Sequence, residues 1–175
     1  MKSSSTAVAK LQTVSALYTH VLRVVVIAFA AVSGLAVMAM MAVTTFDVLY
    51  RVSGHTIHGA YDIVRIAGTI AIACALPYTT AVKGHVAIEY FYHKLNRPGR
   101  IVVDTLCRIT VIGLFAVFTW QCWNYGDTLK RTGEVSLTLQ IPIFWVAYVI
   151  AVACAVTVLV TIHNLMHPGR EMIKP

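Results

Sequence analysis

The sequence predicts an all-α membrane protein with four transmembrane helices. Of its 175 residues, 58% are apolar and only 12% are charged, and the mean hydropathy is +0.75. Ordinary globular chains are about 25% charged, and a soluble core of this size could not bury so much apolar surface. The charges also cluster between uncharged runs, and four of these runs are long enough to cross about 30 Å of hydrocarbon.

Each of the four runs is interpreted as one helix of a single domain covering residues 1–175. The first run contains no charge and exceeds the roughly 7–15 apolar residues of a cleavable signal peptide, so we expect it to be retained. The second contains Pro77, which membrane helices tolerate when neighbours satisfy the freed backbone group. The fourth begins beside Pro142, a residue suited to a first helical turn. The predicted spans are residues 24–46, 63–82, 105–126 and 141–163.

The connection between the second and third helices predicts a short helix lying in the membrane interface, over residues 85–96. Its apolar side chains recur at the spacing of one helical face, while polar side chains lie off that face. The Asn-Arg-Pro-Gly sequence at 96–99 is typical of a helix end. The apolar face comprises Ile88, Phe91, Tyr92 and Leu95.

Residues 135–140, between the third and fourth helices, alternate apolar and polar side chains. This period of two predicts extended polypeptide packed on the outer face, since one short run cannot form a sheet.

The distribution of basic residues predicts the orientation. Ten of the 14 Lys and Arg lie before the first helix, between the second and third, or after the fourth. The positive-inside rule therefore places both termini and the middle connection in the cytoplasm. Trp120, Trp123 and Trp145 then gather near the outer boundary. The net charge of +7 indicates contact with anionic phospholipids and does not require a nucleic acid partner.

The placement of ionisable residues argues against several functions that four-helix membrane proteins perform. None of the seven acids lies in the middle of a span, where a proton-coupled exporter needs one. The seven histidines lie at helix ends or in connections, which disfavours haem ligation within a bundle. The four cysteines form no C-x-x-C pair, so redox and zinc chemistry are also disfavoured. We expect no catalytic residue, metal or cofactor.

Two charged pairs lie at the outer end of the first helical hairpin. Asp47 and Arg51 are spaced i, i+4, and Asp62 and Arg65 are spaced i, i+3. One interpretation is local pairing that lets each helix end at the headgroups. The other is that Arg51 bridges to Asp62 across the hairpin, or that either residue faces a partner subunit. The sequence leaves both open.

Three motifs carry a resemblance to a known family. Ala75-Leu76-Pro77-Tyr78 is followed by Lys83-Gly84-His85-Val86 and Ile88-Glu89. Gly133-x-x-Ser136-x-x-Leu139-x-Ile141-Pro142-x-x-Trp145 leads into the fourth helix, and Asp47-x-x-x-Arg51 closes the first. With this order and topology, the chain resembles the small transmembrane subunit of tripartite ATP-independent periplasmic (TRAP) transporters, the DctQ type. One departure is Tyr61-Asp62, where that family often carries two adjacent acids.

The resemblance implies a non-catalytic subunit in a bacterial inner membrane. Such subunits brace a large elevator-type membrane subunit during sodium-coupled uptake of an organic acid, which a periplasmic substrate-binding protein delivers. The alternative from another class is the membrane anchor of a respiratory enzyme complex. Candidate residues for subunit contact or for anchoring the topology are Asp47, Arg51, Asp62, Arg65, Lys83, Gly84, His85, Glu89, Ser136, Pro142 and Trp145.

Overall fold

The computed structural model describes residues 2–55, 57–82 and 97–166, with side chains described for 18–55, 57–82, 103 and 105–165. Four α-helices account for most of this part of the chain. They are α1 (Lys2–Val52), α2 (Ala60–Ala81), α3 (Arg97–Thr132) and α4 (Phe144–Met166).

Each helix contains a stretch that is long and apolar enough to cross a membrane, which confirms the predicted fold class. These stretches are Tyr18–Val52, Ala60–Ala81, Thr105–Thr132 and Phe144–Leu165. Helices α1 and α3, with 51 and 36 residues, run well beyond the apolar runs that predicted them. The predicted interfacial helix at 85–96 lies outside the described residues, and the orientation of the termini stays a prediction.

The helices lie side by side in a row, in the order α1, α2, α4, α3. Helix α2 packs against α1 on one side and against α4 on the other, and α4 packs against α3. Helices α1 and α4 meet only marginally, and α1 and α3 share no packed surface in the described part of the chain. A closed bundle would bring α3 back against α1. The row instead leaves α1 and α3 as two free flanks, which expose large apolar side chains to the lipid.

Small side chains fill the seam between α2 and α4, the two central helices. Both helices bury several alanines and one cysteine each, and the two helices pack against each other, as small side chains allow. At one end of the seam, α1 joins the contact and larger side chains form a small apolar cluster. Its buried members are Leu22, Val26, Ala81, Val156 and Val160.

The connection 133–143 lies at the opposite end of the row from that cluster. We call this end, which also holds residues 53–59, the outer end after the predicted orientation. The predicted extended conformation is only partly observed: Val135 and Pro142 form an isolated bridge, but Leu137 to Leu139 form a turn. Helix α4 begins at Phe144, so Pro142 precedes the first helical turn and does not open it.

Candidate functional site

The carboxylate of Asp62 joins α2 to the connection between α3 and α4. Asp62 Oδ2 accepts hydrogen bonds from Ser136 Oγ at 2.7 Å, from the backbone N–H of Thr138 at 2.8 Å and from that of Leu139 at 3.0 Å. The side chain is only 1% exposed, and Oδ1 is buried and accepts no hydrogen bond from the described residues. We call the contact between Asp62 and residues 136–139 the outer latch.

The latch also explains the turn at 137–139. An ionised carboxylate is a strong acceptor, and it draws two consecutive backbone N–H groups toward one oxygen. Two N–H groups that point the same way cannot both belong to a regular extended strand, where successive groups alternate. The hydrogen bonds to one buried carboxylate therefore override the extended conformation that the alternating sequence pattern predicts.

Glycine at position 59 makes room for the latch. Gly59 is the N-cap of α2 and has φ of 90°, a conformation that side chains with a Cβ rarely adopt. A Cβ on Gly59 would also overlap the side chain of Leu139. The Leu139 side chain therefore rests directly on the start of α2, next to the backbone N–H that bonds Asp62.

The first charged pair is local. Arg51 Nη2 donates to Asp47 Oδ2 at 2.8 Å within α1, and Asp47 Oδ1 accepts from the backbone N–H of Ile57 at 3.4 Å. Arg51 thus pairs on its own helix, and the bridge to Asp62 across the hairpin is not observed. Asp62 is committed to the latch, and Arg65 is exposed on the next turn of α2.

A second polar contact joins α2 to α4 at the end of the row opposite the outer end, which we call the inner end. Asn164 Nδ2 donates to the backbone carbonyl of Thr80 at 3.1 Å, and both residues are buried. The carbonyls of a last helical turn lack partners within their helix, and Asn164 satisfies one of them. Asn164 Oδ1 is buried and accepts no hydrogen bond from the described residues.

The α3–α4 hairpin has its own polar contact near the outer end. Tyr148 Oη donates to Asp127 Oδ1 at 2.6 Å, and the Tyr148 ring lies 5.1 Å from that of Trp123, between centroids. Gly126 permits this contact, because a Cβ there would lie 2.9 Å from Tyr148 Cε1.

The structure brings together some of the sequence-predicted candidates and not others. Asp62 and Ser136 bond each other, and Asp47 and Arg51 form a separate pair. Pro142 lies in the connection, while Trp145 is partly exposed in the first turn of α4. Four further candidates, Lys83, Gly84, His85 and Glu89, lie outside the described residues.

Three contacts were missed by the sequence reasoning: Gly59 with Leu139, Tyr148 with Asp127, and Asn164 with Thr80. Asn164 had a usable signal, since an amide directly after an apolar run at a helix end often meets a backbone group. The contact of Gly59 with Leu139 depends on α2 lying beside α4, which periodicity does not encode.

These helices and contacts define a multi-pass membrane protein whose polar side chains fasten helices together. The family model of the DctQ component of tripartite ATP-independent periplasmic transporters matches residues 40–170. The chain therefore belongs to the DctQ family of TRAP transporter components. No curated protein and no solved structure matches the chain.

Proposed function

We propose that the chain is the non-catalytic small membrane subunit that supports the large membrane subunit of a TRAP transporter. It acts in sodium-coupled uptake of an organic acid delivered by a periplasmic substrate-binding protein, in a bacterial inner membrane, with both termini cytoplasmic. The observation that carries this proposal is the family match, which covers residues 40–170.

The helix row supports a scaffolding role. The flank formed by α1 exposes Leu35 and Met38, and the flank formed by α3 exposes Leu106 and Trp120. A row of helices has a large apolar perimeter for its mass, so it widens a partner's footprint in the membrane. We propose that the large subunit covers one of these flanks, and that anionic phospholipids contact the basic inner end.

The candidate residues divide by role under this proposal. Asp62 and Ser136 are hydrogen-bonded to each other, so we propose that they hold the fold together at the outer end. Arg65 and Trp145 remain accessible to a neighbour or to headgroups.

Deletion of the chain tests the proposal. We expect sodium-dependent, binding-protein-dependent uptake to fall to background in cells or proteoliposomes that contain the large subunit alone. Immunoblotting of the membrane fraction serves as the control for that subunit. Unchanged uptake, with the large subunit present and inserted, would contradict a supporting role.

Tags on both termini test the predicted orientation. If the tags were labelled from outside intact cells, the termini would not be cytoplasmic and the predicted orientation would be wrong.

A further inference from the structure

Helix α1 extends farther toward the outer end than α2, the helix it packs against. Its apolar stretch has 35 residues, against 22 for α2. Ser33 Oγ donates to the backbone carbonyl of Ala71 at 2.7 Å, which aligns these two positions along the hairpin. Helix α1 continues for 19 residues beyond Ser33, to Val52, whereas α2 begins only 11 residues before Ala71. At 1.5 Å per residue, the difference projects α1 about 12 Å past the start of α2.

Charged side chains mark where the hydrocarbon ends at this side. Arg65 is exposed on α2 one turn after Asp62, and Lys130 and Arg131 are exposed at the end of α3. A charge in the hydrocarbon costs about 2.5–3.5 kcal/mol or more, so these side chains reach headgroups or water. The latch ties the start of α2 to the connection that follows α3. The last two turns of α1, residues 45–52, therefore project beyond the hydrocarbon, and we call them the α1 tip.

The α1 tip is mostly apolar. Its charged side chains are satisfied locally, because Asp47 pairs with Arg51 and accepts from the backbone N–H of Ile57. Five apolar side chains of the tip are each more than half exposed, namely Phe46, Val48, Leu49, Tyr50 and Val52. A contiguous apolar surface that projects from the membrane indicates a contact with another protein.

The flank formed by α3 has a different composition at the same end. It exposes Trp120, Trp123 and Tyr125, and two exposed cations follow them. Aromatic and then basic side chains at the end of a span anchor a helix in the headgroups. Helix α1 contains no tryptophan, and the basic residue of its outer end, Arg51, is paired. The α3 flank therefore suits contact with lipid, and the α1 tip does not.

We propose that the large membrane subunit covers the α1 flank and receives the α1 tip on an apolar surface outside the hydrocarbon. This inference rests on the proposed function and assigns the α3 flank to lipid. The tip continues the flank, because Leu35, Met38, Phe46 and Leu49 recur at the spacing of one helical face and are all exposed. This face carries no charge, so the large subunit meets it with apolar side chains both within the membrane and just beyond it.

Cysteine labelling tests the contact at the tip. The four native cysteines are replaced by alanine, and a water-soluble maleimide is applied to Val52→Cys. The small subunit is labelled alone and in complex with the large subunit, in nanodiscs of phosphatidylcholine. We expect the large subunit to slow labelling about tenfold, because the centre of a protein interface excludes water. Leu137→Cys, at a side chain that is 83% exposed on the outer connection, is the control and should label equally in both samples.

Two results of this experiment would overturn the inference. One is equal labelling of Val52→Cys with and without the large subunit. The other is slow labelling of Val52→Cys in the small subunit alone, which would show that lipid covers the tip.

The affinity of the two subunits for each other tests the choice of flank. Phe46→Ser with Leu49→Ser should weaken the complex about tenfold. The matched control on the other flank is Val117→Ser with Trp120→Ser, which should bind like the wild type. All four side chains are exposed in the small subunit, so neither pair of changes removes a buried contact from its fold.

The outcomes separate this inference from the proposed function. If the α3 pair weakens the complex and the α1 pair does not, the large subunit covers the other flank and only this inference is wrong. If the wild-type chain forms no complex with the large subunit, the proposed function itself fails.

Discussion

At the scale of single residues, Asp62 is the most constrained polar side chain in the described structure. One of its oxygens accepts three hydrogen bonds while the other is buried without a described partner. A buried ionised carboxylate is costly unless donors surround it, and hydrogen bonds to charged groups contribute about 1.5–3 kcal/mol each in mutational series. The latch therefore stabilises the fold only while all three donors bond the carboxylate.

Asp62→Asn tests the latch. The substitution keeps the shape but removes the charge and places an amide among donors, so we expect the free energy of unfolding to fall by about 1–2 kcal/mol. Denaturant titration in detergent measures this change. Arg51→Gln is the control, because it breaks an exposed pair expected to contribute under about 1 kcal/mol. Equal losses in the two variants would contradict a special role for Asp62.

The glycine under Leu139 provides a second test at this scale. Gly59 and Gly54 both have positive φ, of 90° and 80°, but a Cβ on Gly54 would meet no atom within 4 Å. Gly54→Ala should therefore show only backbone strain of about 1–2 kcal/mol, whereas Gly59→Ala adds a clash worth about 1–3 kcal/mol more. Thermal unfolding compares the two directly. Similar melting temperatures would show that Leu139 yields freely.

At the scale of elements, the α3–α4 hairpin depends on one close approach. The ring of Tyr148 lies against the backbone of Gly126 and reaches Asp127 by its hydroxyl. Helix propensity would favour alanine at position 126, but the Tyr148 ring leaves too little room for a Cβ there.

Gly126→Ala tests the approach, with Gly113→Ala as its match on the same helix. A Cβ on Gly113 meets no atom within 4 Å, so that variant should be neutral or more stable by up to about 1 kcal/mol. Gly126→Ala should instead be destabilised by about 1–3 kcal/mol, since Tyr148 must move. Tryptophan fluorescence reports the move, because Trp123 packs on the same ring. An unchanged spectrum would contradict it.

The sequence predicted the helices but not how their ends are joined. Long apolar runs predict four membrane-spanning helices, because an apolar run of about 20 residues suits a helix that crosses the hydrocarbon core. Ser136 and Asp62 were singled out as separate candidates, yet nothing in either segment shows that they meet. They are 74 positions apart, and their contact depends on α2 lying beside α4. The turn at 137–139 was missed for the same reason.

At the scale of the whole molecule, the helices pack in a row in the order α1, α2, α4, α3. A closed bundle would cover the faces of α1 and α3 that met each other, while the row leaves both flanks available. The order also separates α1 from α3, which sit at opposite ends.

Disulfide cross-linking in membranes tests the row. The chain is used with its four native cysteines replaced by alanine. Ser33→Cys with Ala71→Cys should cross-link on mild oxidation, because Ser33 Oγ lies 2.7 Å from the carbonyl of Ala71 across α1 and α2. Ser33→Cys with Gly113→Cys should not, since α1 and α3 share no packed surface in the described part of the chain. Efficient cross-linking of the second pair would indicate a closed bundle.

The seam between α2 and α4 has a consequence for how the protein is made. Each of its two sides belongs to a hairpin of consecutive helices, α1–α2 and α3–α4, and each hairpin can insert and pair as it leaves the ribosome. The long-range side-chain contacts of Asp62 and Asn164 join one hairpin to the other. Seam substitutions should therefore act after insertion: both hairpins would reach the membrane correctly, and their association would be the step that fails.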